Sequence, residues 1–93
     1  MIVGIATLEL RIFGCQSLKE KRSVINSLIR RLQNKFNAAV AETDDNDLWQ
    51  KGTIGIAIIG GSTAHAHSQL QSIVSFIESQ PTVMITSVET ELL

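Results

Sequence analysis

The stretch SLKEKRSVINSLIRRLQNKF (Ser17–Phe36) decides how the rest of the sequence is interpreted. It begins with a capping box, in which the Ser17 hydroxyl can accept from the Glu20 amide and the Glu20 carboxylate can accept from the Ser17 amide. Apolar side chains then recur at spacings of three, four and seven residues and form one stripe: Leu18, Ile25, Leu28, Ile29, Leu32 and Phe36. This pattern predicts an amphipathic helix that buries one face and ends near Asn37.

The segments outward from this helix have the two-residue periodicity of β-strands. In the first of them one phase stays apolar while the other turns polar at Glu9 and Arg11, so its later half should face water. The acidic run Asp44–Asp47 is typical of a turn, and Pro81 prevents a second helix from continuing. The predicted strands are Ile2–Phe13, Ala38–Thr43, Gly52–Ile59 and Thr82–Leu92, and the second helix begins at Ser62 or Thr63.

The order of these elements is βαββαβ. This order predicts an α+β, ferredoxin-like fold, in which a four-stranded antiparallel sheet carries both helices on one face. The 93 residues are enough for one domain and too few for two, so residues 1–93 are expected to form a single domain.

Polar side chains on the outer strand phases are expected on the uncovered face of that sheet. The residues assigned to this open face are Arg11, Glu42, Glu89 and Glu91. Arg11 is the one basic residue among acids, which leads to the hypothesis that it pairs with one of the three carboxylates. An exposed pair of this kind should contribute only about 0–1 kcal/mol.

Charge is distributed unevenly along the chain, although the net charge is only −1. Ser17–Phe36 contains six Lys or Arg and one acid, whereas the remainder contains two Lys or Arg and eight acids. On an ideal helix five donor-rich side chains fall within about 80° of arc. They are Lys19, Arg22, Asn26, Arg30 and Gln33. Such a face fits contacts to RNA phosphates, and the alternative is an ordinary solvated helix face.

The first half of the chain also carries a recognisable pattern. It consists of Ser-Leu-Lys-x-Lys-Arg from Ser17, Phe36-Asn37 at the helix end, Ala41-Glu42 at the strand end, and Asp47-x-Trp49-Gln50. With this pattern the sequence resembles the YlxP-like family of small bacterial proteins. The resemblance implies a ferredoxin-like fold, a bacterial cytoplasmic setting and a link to translation, because genes of that family often lie beside those for initiation and ribosome maturation factors. It implies no catalytic residues.

No arrangement of residues in the sequence favours a catalytic, metal or cofactor site. Cys15 is the only cysteine, which excludes an internal disulfide and any multi-cysteine metal site. His65 and His67 would point in different directions on a helix, and Gly60-Gly61-Ser62 lacks the lysine of a P-loop. The acidic turn lacks the glycine and glutamate of a calcium loop. The chain is therefore expected not to be an enzyme.

Two known functions of the ferredoxin-like fold are excluded because the residues that they require are missing. RNA recognition motifs stack bases on aromatic side chains of the two central strands, and here the only candidate is Phe13 at a strand end. Acylphosphatases need an arginine in the first loop, and Gly14–Ser17 contains none. Trp49, the only tryptophan, is interpreted as a partly buried anchor of the hairpin rather than a partner contact.

The sequence thus favours a non-enzymatic binding module that uses its first helix toward RNA or a ribosomal site. The start of the chain lacks the features of a signal peptide, and no apolar run is long enough for a membrane span, so a cytoplasmic setting is expected. The alternative is a homo-oligomeric domain, such as a homodimer, of the ACT type, which shares the fold and binds regulatory small molecules. Salt-dependent RNA retention would favour the first, and a metabolite-induced rise in melting temperature the second.

Overall fold

The fold was analysed in a computed structural model that describes all 93 residues. Its six elements follow in the predicted order, with boundaries within one or two residues of those expected. They are β1 (Ile2–Ile12), α1 (Leu18–Lys35), β2 (Ala38–Asp44), β3 (Lys51–Gly60), α2 (Thr63–Glu78) and β4 (Val83–Leu92).

The four strands form one antiparallel sheet in the order β2-β3-β1-β4. Inward residues of the central strands, among them Leu8, Leu10 and Ile54, are fully buried under the two helices. Outward residues of the same strands are mostly exposed or half-buried, apart from Thr53. The predicted ferredoxin-like fold is therefore confirmed, with the helices on one face and an open face on the other.

One hydrophobic core of 17 side chains joins both helices to the sheet. From α1 it takes Ile25, Leu28 and Leu32, and from α2 it takes a stripe at the same kind of spacing: Ala66, Leu70, Ile73 and Ile77. This is the burial that the apolar periodicity of each helix predicts.

Two glycines are required by the geometry of the connections. Gly14 has φ +73, in the left-handed region, where it turns the chain from β1 toward α1. A Cβ on Gly60 would lie 3.0 Å from both the Cβ and the backbone nitrogen of Ala66. Glycine at the end of β3 therefore allows the first turn of α2 to pack directly on the sheet.

The N-terminus of α1 is capped nearly as predicted. The Ser17 hydroxyl accepts from the Glu20 amide at 3.1 Å, but the Glu20 carboxylate accepts from the amide of Gln16, at 2.7 Å, rather than from that of Ser17. Two side-chain bonds thus fix the residue at which α1 begins.

A β-bulge decides which side chains of β4 face outward. Glu9 pairs with Ser87 and Leu10 pairs with Ile85, so Thr86 is the extra residue, and its hydroxyl donates to the Glu9 carbonyl at 3.1 Å. Before the bulge Val83 and Ile85 face the helices. Without it, Glu89 and Glu91, which lie four and six positions beyond Ile85, would face inward too.

Neither helix is long and apolar enough to cross a membrane.

Candidate nucleic-acid interface

The five residues predicted to contact phosphates are all exposed on α1, and we call them the basic face: Lys19, Arg22, Asn26, Arg30 and Gln33. The only ion pairs within the chain involve Lys21 and Lys51, so the three cations of this face have no acidic partner. Its side chains also form no hydrogen bond within the chain. The basic face therefore presents free donors to solvent over most of the length of the helix.

The other two exposed cations of α1 are engaged with neighbouring groups. Arg31 donates to the Gln80 side chain at 2.5 Å and to the Ser27 hydroxyl at 3.1 Å. The Lys35 ammonium lies 5.0 Å from the centre of the Phe76 ring, within the range of a cation–π interaction. Both side chains serve the contact between α1 and the second half of the fold, and neither belongs to the basic face.

Lys21 is part of the positively charged segment in the sequence, but its side chain is completely buried. Its ammonium lies 2.5 Å from the Glu42 carboxylate and donates to the Asp45 carbonyl at 2.8 Å. A charge held in this way is neutralised inside the protein. The surface of α1 is accordingly less positive than the sequence implies.

The placement of Glu42 on the open sheet face was wrong. Glu42 pairs across the sheet with Ile54, in the same phase as Val40, and therefore points toward the helices. Sequence reasoning could have found this pair, because Lys21 continues the buried α1 stripe at spacings of three and four from Leu18 and Ile25. A lysine within an apolar stripe requires an inward carboxylate nearby.

The proposed pairing of Arg11 with an acid was also wrong. Arg11 lies on the open face, but it forms no ion pair, and its cross-strand neighbours are Lys51 and Met84. Glu89 and Glu91 are exposed on the same face, as expected, but they lie opposite Thr7 and Ile5, nearer the start of β1. The positions of β1 that these two acids face are several residues away from Arg11.

The turn between β2 and β3 is organised around Asp45, which has φ +61. Its carboxylate accepts from the Thr53 hydroxyl at 2.7 Å and lies 3.8 Å from the Lys51 ammonium. Nowhere in the chain do three or more His, Cys, Asp or Glu side chains come together in a way that could hold a metal ion. The Asp45 carboxylate is used for local structure.

Trp49 is more accessible than its interpretation as a partly buried anchor implied. Half of its surface is exposed. It lines a cleft of about 310 Å³ together with Leu48, Gln50 and Lys51. Sequence periodicity could not decide this, because it does not set the orientation of a side chain in an irregular turn.

Cys15 is buried at the end of the sheet, next to the start of α1. Burial raises the pKa of its thiol, the nearby Glu20 carboxylate raises it further, and the Lys21 ammonium opposes both effects. The helix start therefore does not activate this cysteine.

We expect Cys15 to react slowly with a disulfide reagent such as DTNB at about pH 8, because the reactive thiolate is disfavoured and shielded. The rate in the folded protein should be at least about tenfold below that in urea. Raising the pH should accelerate the reaction only above the ordinary cysteine pKa. Equal rates in the folded and unfolded protein would contradict the buried, protonated thiol.

Comparison with known proteins identifies the family. Residues 3–90 match the family described as Protein of unknown function (DUF503). The chain belongs to this family. It is also 38% identical to the Uncharacterized protein YlxP of Bacillus subtilis (strain 168), over 97% of this chain and 98% of that protein. The resemblance seen in the Ser-Leu-Lys-x-Lys-Arg and Asp-x-Trp-Gln segments is thereby confirmed.

Two solved structures resemble this DUF503 domain in fold. One is a de novo designed protein with a ferredoxin fold, at a TM-score of 0.55 and 20% identity, covering 98% of this chain and 88% of the other. The second is the de novo designed protein Foldit4, at a TM-score of 0.52 and 12% identity, covering 98% of this chain and 96% of the other. At these identities the likeness concerns the fold alone.

Proposed function

We propose that this DUF503 domain is a non-enzymatic, cytoplasmic protein that binds RNA or a ribosomal site through the basic face of α1, in the context of translation or ribosome maturation. The observation that carries the proposal is the set of three unpaired cations with two amide side chains, all exposed on one side of one helix. Arginine and lysine provide charge toward phosphates, and asparagine and glutamine add hydrogen bonds.

The proposal is supported by how charge is handled elsewhere in the fold. Lys21 is neutralised by Glu42, and Lys51 lies near Asp45, but nothing compensates Lys19, Arg22 or Arg30. The carboxylates Glu89 and Glu91 lie on the opposite, open side of the sheet. A polyanion could therefore approach α1 without meeting Glu89 or Glu91.

Salt dependence tests the proposal directly. If about four phosphates are neutralised, the logarithm of the affinity for a structured RNA should fall with the logarithm of salt concentration at a slope of about −3 to −4. The measurement is a titration of ribosomal subunits and of a short RNA hairpin at several salt concentrations. Absence of binding even at low salt would leave α1 with an ordinary solvated face.

A second candidate function is a homo-oligomeric, ACT-like regulatory or structural domain. It is favoured by an apolar surface on the half of the open face that lies far from Arg11. This surface is formed by Val3, Ile5, Ala39, Ala57 and the largely exposed Ile59. Pairing of two copies over this surface should appear as a dimer mass in light scattering. Replacing Ile59 by Lys should then return the protein to a monomer, whereas RNA binding through α1 should be unaffected.

A further inference from the structure

A second group of exposed side chains lies at one end of the open sheet face. The last backbone bond between β1 and the chain leading into β3 runs from the Ile12 amide to the Gln50 carbonyl, at 2.9 Å. Phe13 and Trp49 follow one residue beyond it on either side, and each is about half exposed, at 48% and 50%. Phe13 directly follows β1 and Trp49 lies two residues before β3, and Trp49 shares a cleft with the outward residue Lys51.

Arg11 and Lys51 stand directly opposite each other on neighbouring strands, and both are exposed. Like charges in this position destabilise a sheet. Arg11 has no ion pair, whereas Lys51 forms one with Asp45 at 3.8 Å, and Glu9 lies two residues before Arg11 on the same face. An anion bound between the two cations would reduce this repulsion. The pair is therefore suited to bind a phosphate group.

The space around these cations is divided into two adjoining clefts that share Gln50 and Lys51. One, of about 250 Å³, is lined by Arg11 and Thr86 as well, and the other, of about 310 Å³, by Trp49 and Leu48. A nucleotide has the same two parts, a charged phosphate and a flat apolar base. The arrangement offers cations to the first and an aromatic surface to the second.

We propose that this end of the sheet, formed by Arg11, Phe13, Trp49 and Lys51 and called here the aromatic end, binds single-stranded RNA. A base stacks on Trp49, and its phosphate lies between Arg11 and Lys51. This differs from base stacking on the central strands, which lack aromatic residues, because the aromatic side chains lie beyond the strand ends. The inference rests on the proposed function only in the class of partner, since it uses a different surface from the basic face.

Trp49 is the only tryptophan, so its fluorescence reports on this site alone. Titration with octauridylate at low salt should quench the emission in a saturable way. An octamer of abasic ribose phosphate, which has the same charge and no bases, should bind about tenfold more weakly. No saturable quenching, or equal binding of the two octamers, would overturn the proposal.

Variants separate the aromatic end from the rest of the surface. The double variant Arg11→Ala with Lys51→Ala should weaken octauridylate binding at least about tenfold, whereas Arg31→Ala with Lys35→Ala removes the same charge from side chains outside both proposed surfaces and should change it less than about threefold. With labelled octauridylate, Trp49→Phe should keep the affinity within about threefold, and Trp49→Ala should lose about tenfold. The reverse order in either comparison would contradict the site.

Thermal unfolding shows whether these variants are folded. The Arg11→Ala, Lys51→Ala variant should melt within about 4 °C of the wild type, since it removes both a like-charge pair and the exposed ion pair of Lys51 with Asp45, and a larger fall would contradict the surface position of these side chains. If the wild-type protein does not bind the RNA hairpin but octauridylate still quenches Trp49, the proposed function of the basic face is refuted and the aromatic end is not. Loss of quenching with hairpin binding intact would refute the aromatic end alone.

Discussion

Replacing Glu42 by Gln should lower the free energy of unfolding by about 3 kcal/mol, because it leaves the ammonium of the completely buried Lys21 without a counter-charge. Only the Asp45 carbonyl would still accept from it. For a domain of this size the loss corresponds to a fall in Tm of about 12–24 °C. Urea unfolding followed by circular dichroism measures the change.

The matched control is Glu89→Gln, which makes the same substitution at an exposed position without a partner and should change stability by less than about 0.5 kcal/mol. A double variant, Lys21→Met with Glu42→Leu, should recover most of the loss, since two apolar side chains can replace a buried ion pair. If Glu42→Gln costs no more than Glu89→Gln, the pair does not hold β2 and its turn to α1 as described.

Replacing both Arg22 and Arg30 by Ala should weaken binding to a structured RNA about 10- to 100-fold at low salt, since two charge-assisted phosphate contacts are lost. The salt slope should also become shallower by about two. The loss should be similar for RNAs of different sequence, because phosphate contacts carry no base information. Fluorescence anisotropy of labelled hairpins measures both quantities.

The control for this variant lies on the same helix. Arg31→Ala with Lys35→Ala removes the same charge from side chains that contact Gln80 and Phe76 instead of forming the basic face. It should keep the affinity within about threefold. Unfolding of the Arg22, Arg30 variant should match that of the wild type within about 0.5 kcal/mol, because both side chains are exposed. Equal weakening by both double variants would indicate a general charge effect and not a defined face.

Hydrophobic periodicity and capping predicted the fold, because the burial of an apolar stripe or strand phase is repeated over many residues and one exception does not disturb it. The same reasoning failed for single side chains. Glu42 was assigned to the open face on its polarity, although two-residue spacing from Val40 places it inward. A polar side chain can be buried where it has a partner, and the partner of Glu42 is Lys21 on α1.

Register was the second limit. The sequence does not reveal that Thr86 is an extra residue in β4, so it could not say which acids lie near Arg11. The exposure of Trp49 depends on the conformation of an irregular turn, so it could not be predicted from periodicity either. The basic face, in contrast, follows from helix geometry alone, and each of its five residues is exposed as predicted.

Sedimentation with ribosomal subunits tests the central claim most directly. At about 50 mM salt the wild-type protein and the Arg31, Lys35 variant should pellet with subunits, the Arg22, Arg30 variant should remain in the supernatant, and about 200 mM salt should release the bound protein. If the wild type stays in the supernatant at low salt, or if the Arg22, Arg30 variant pellets as the wild type does, α1 does not bind RNA through its basic face.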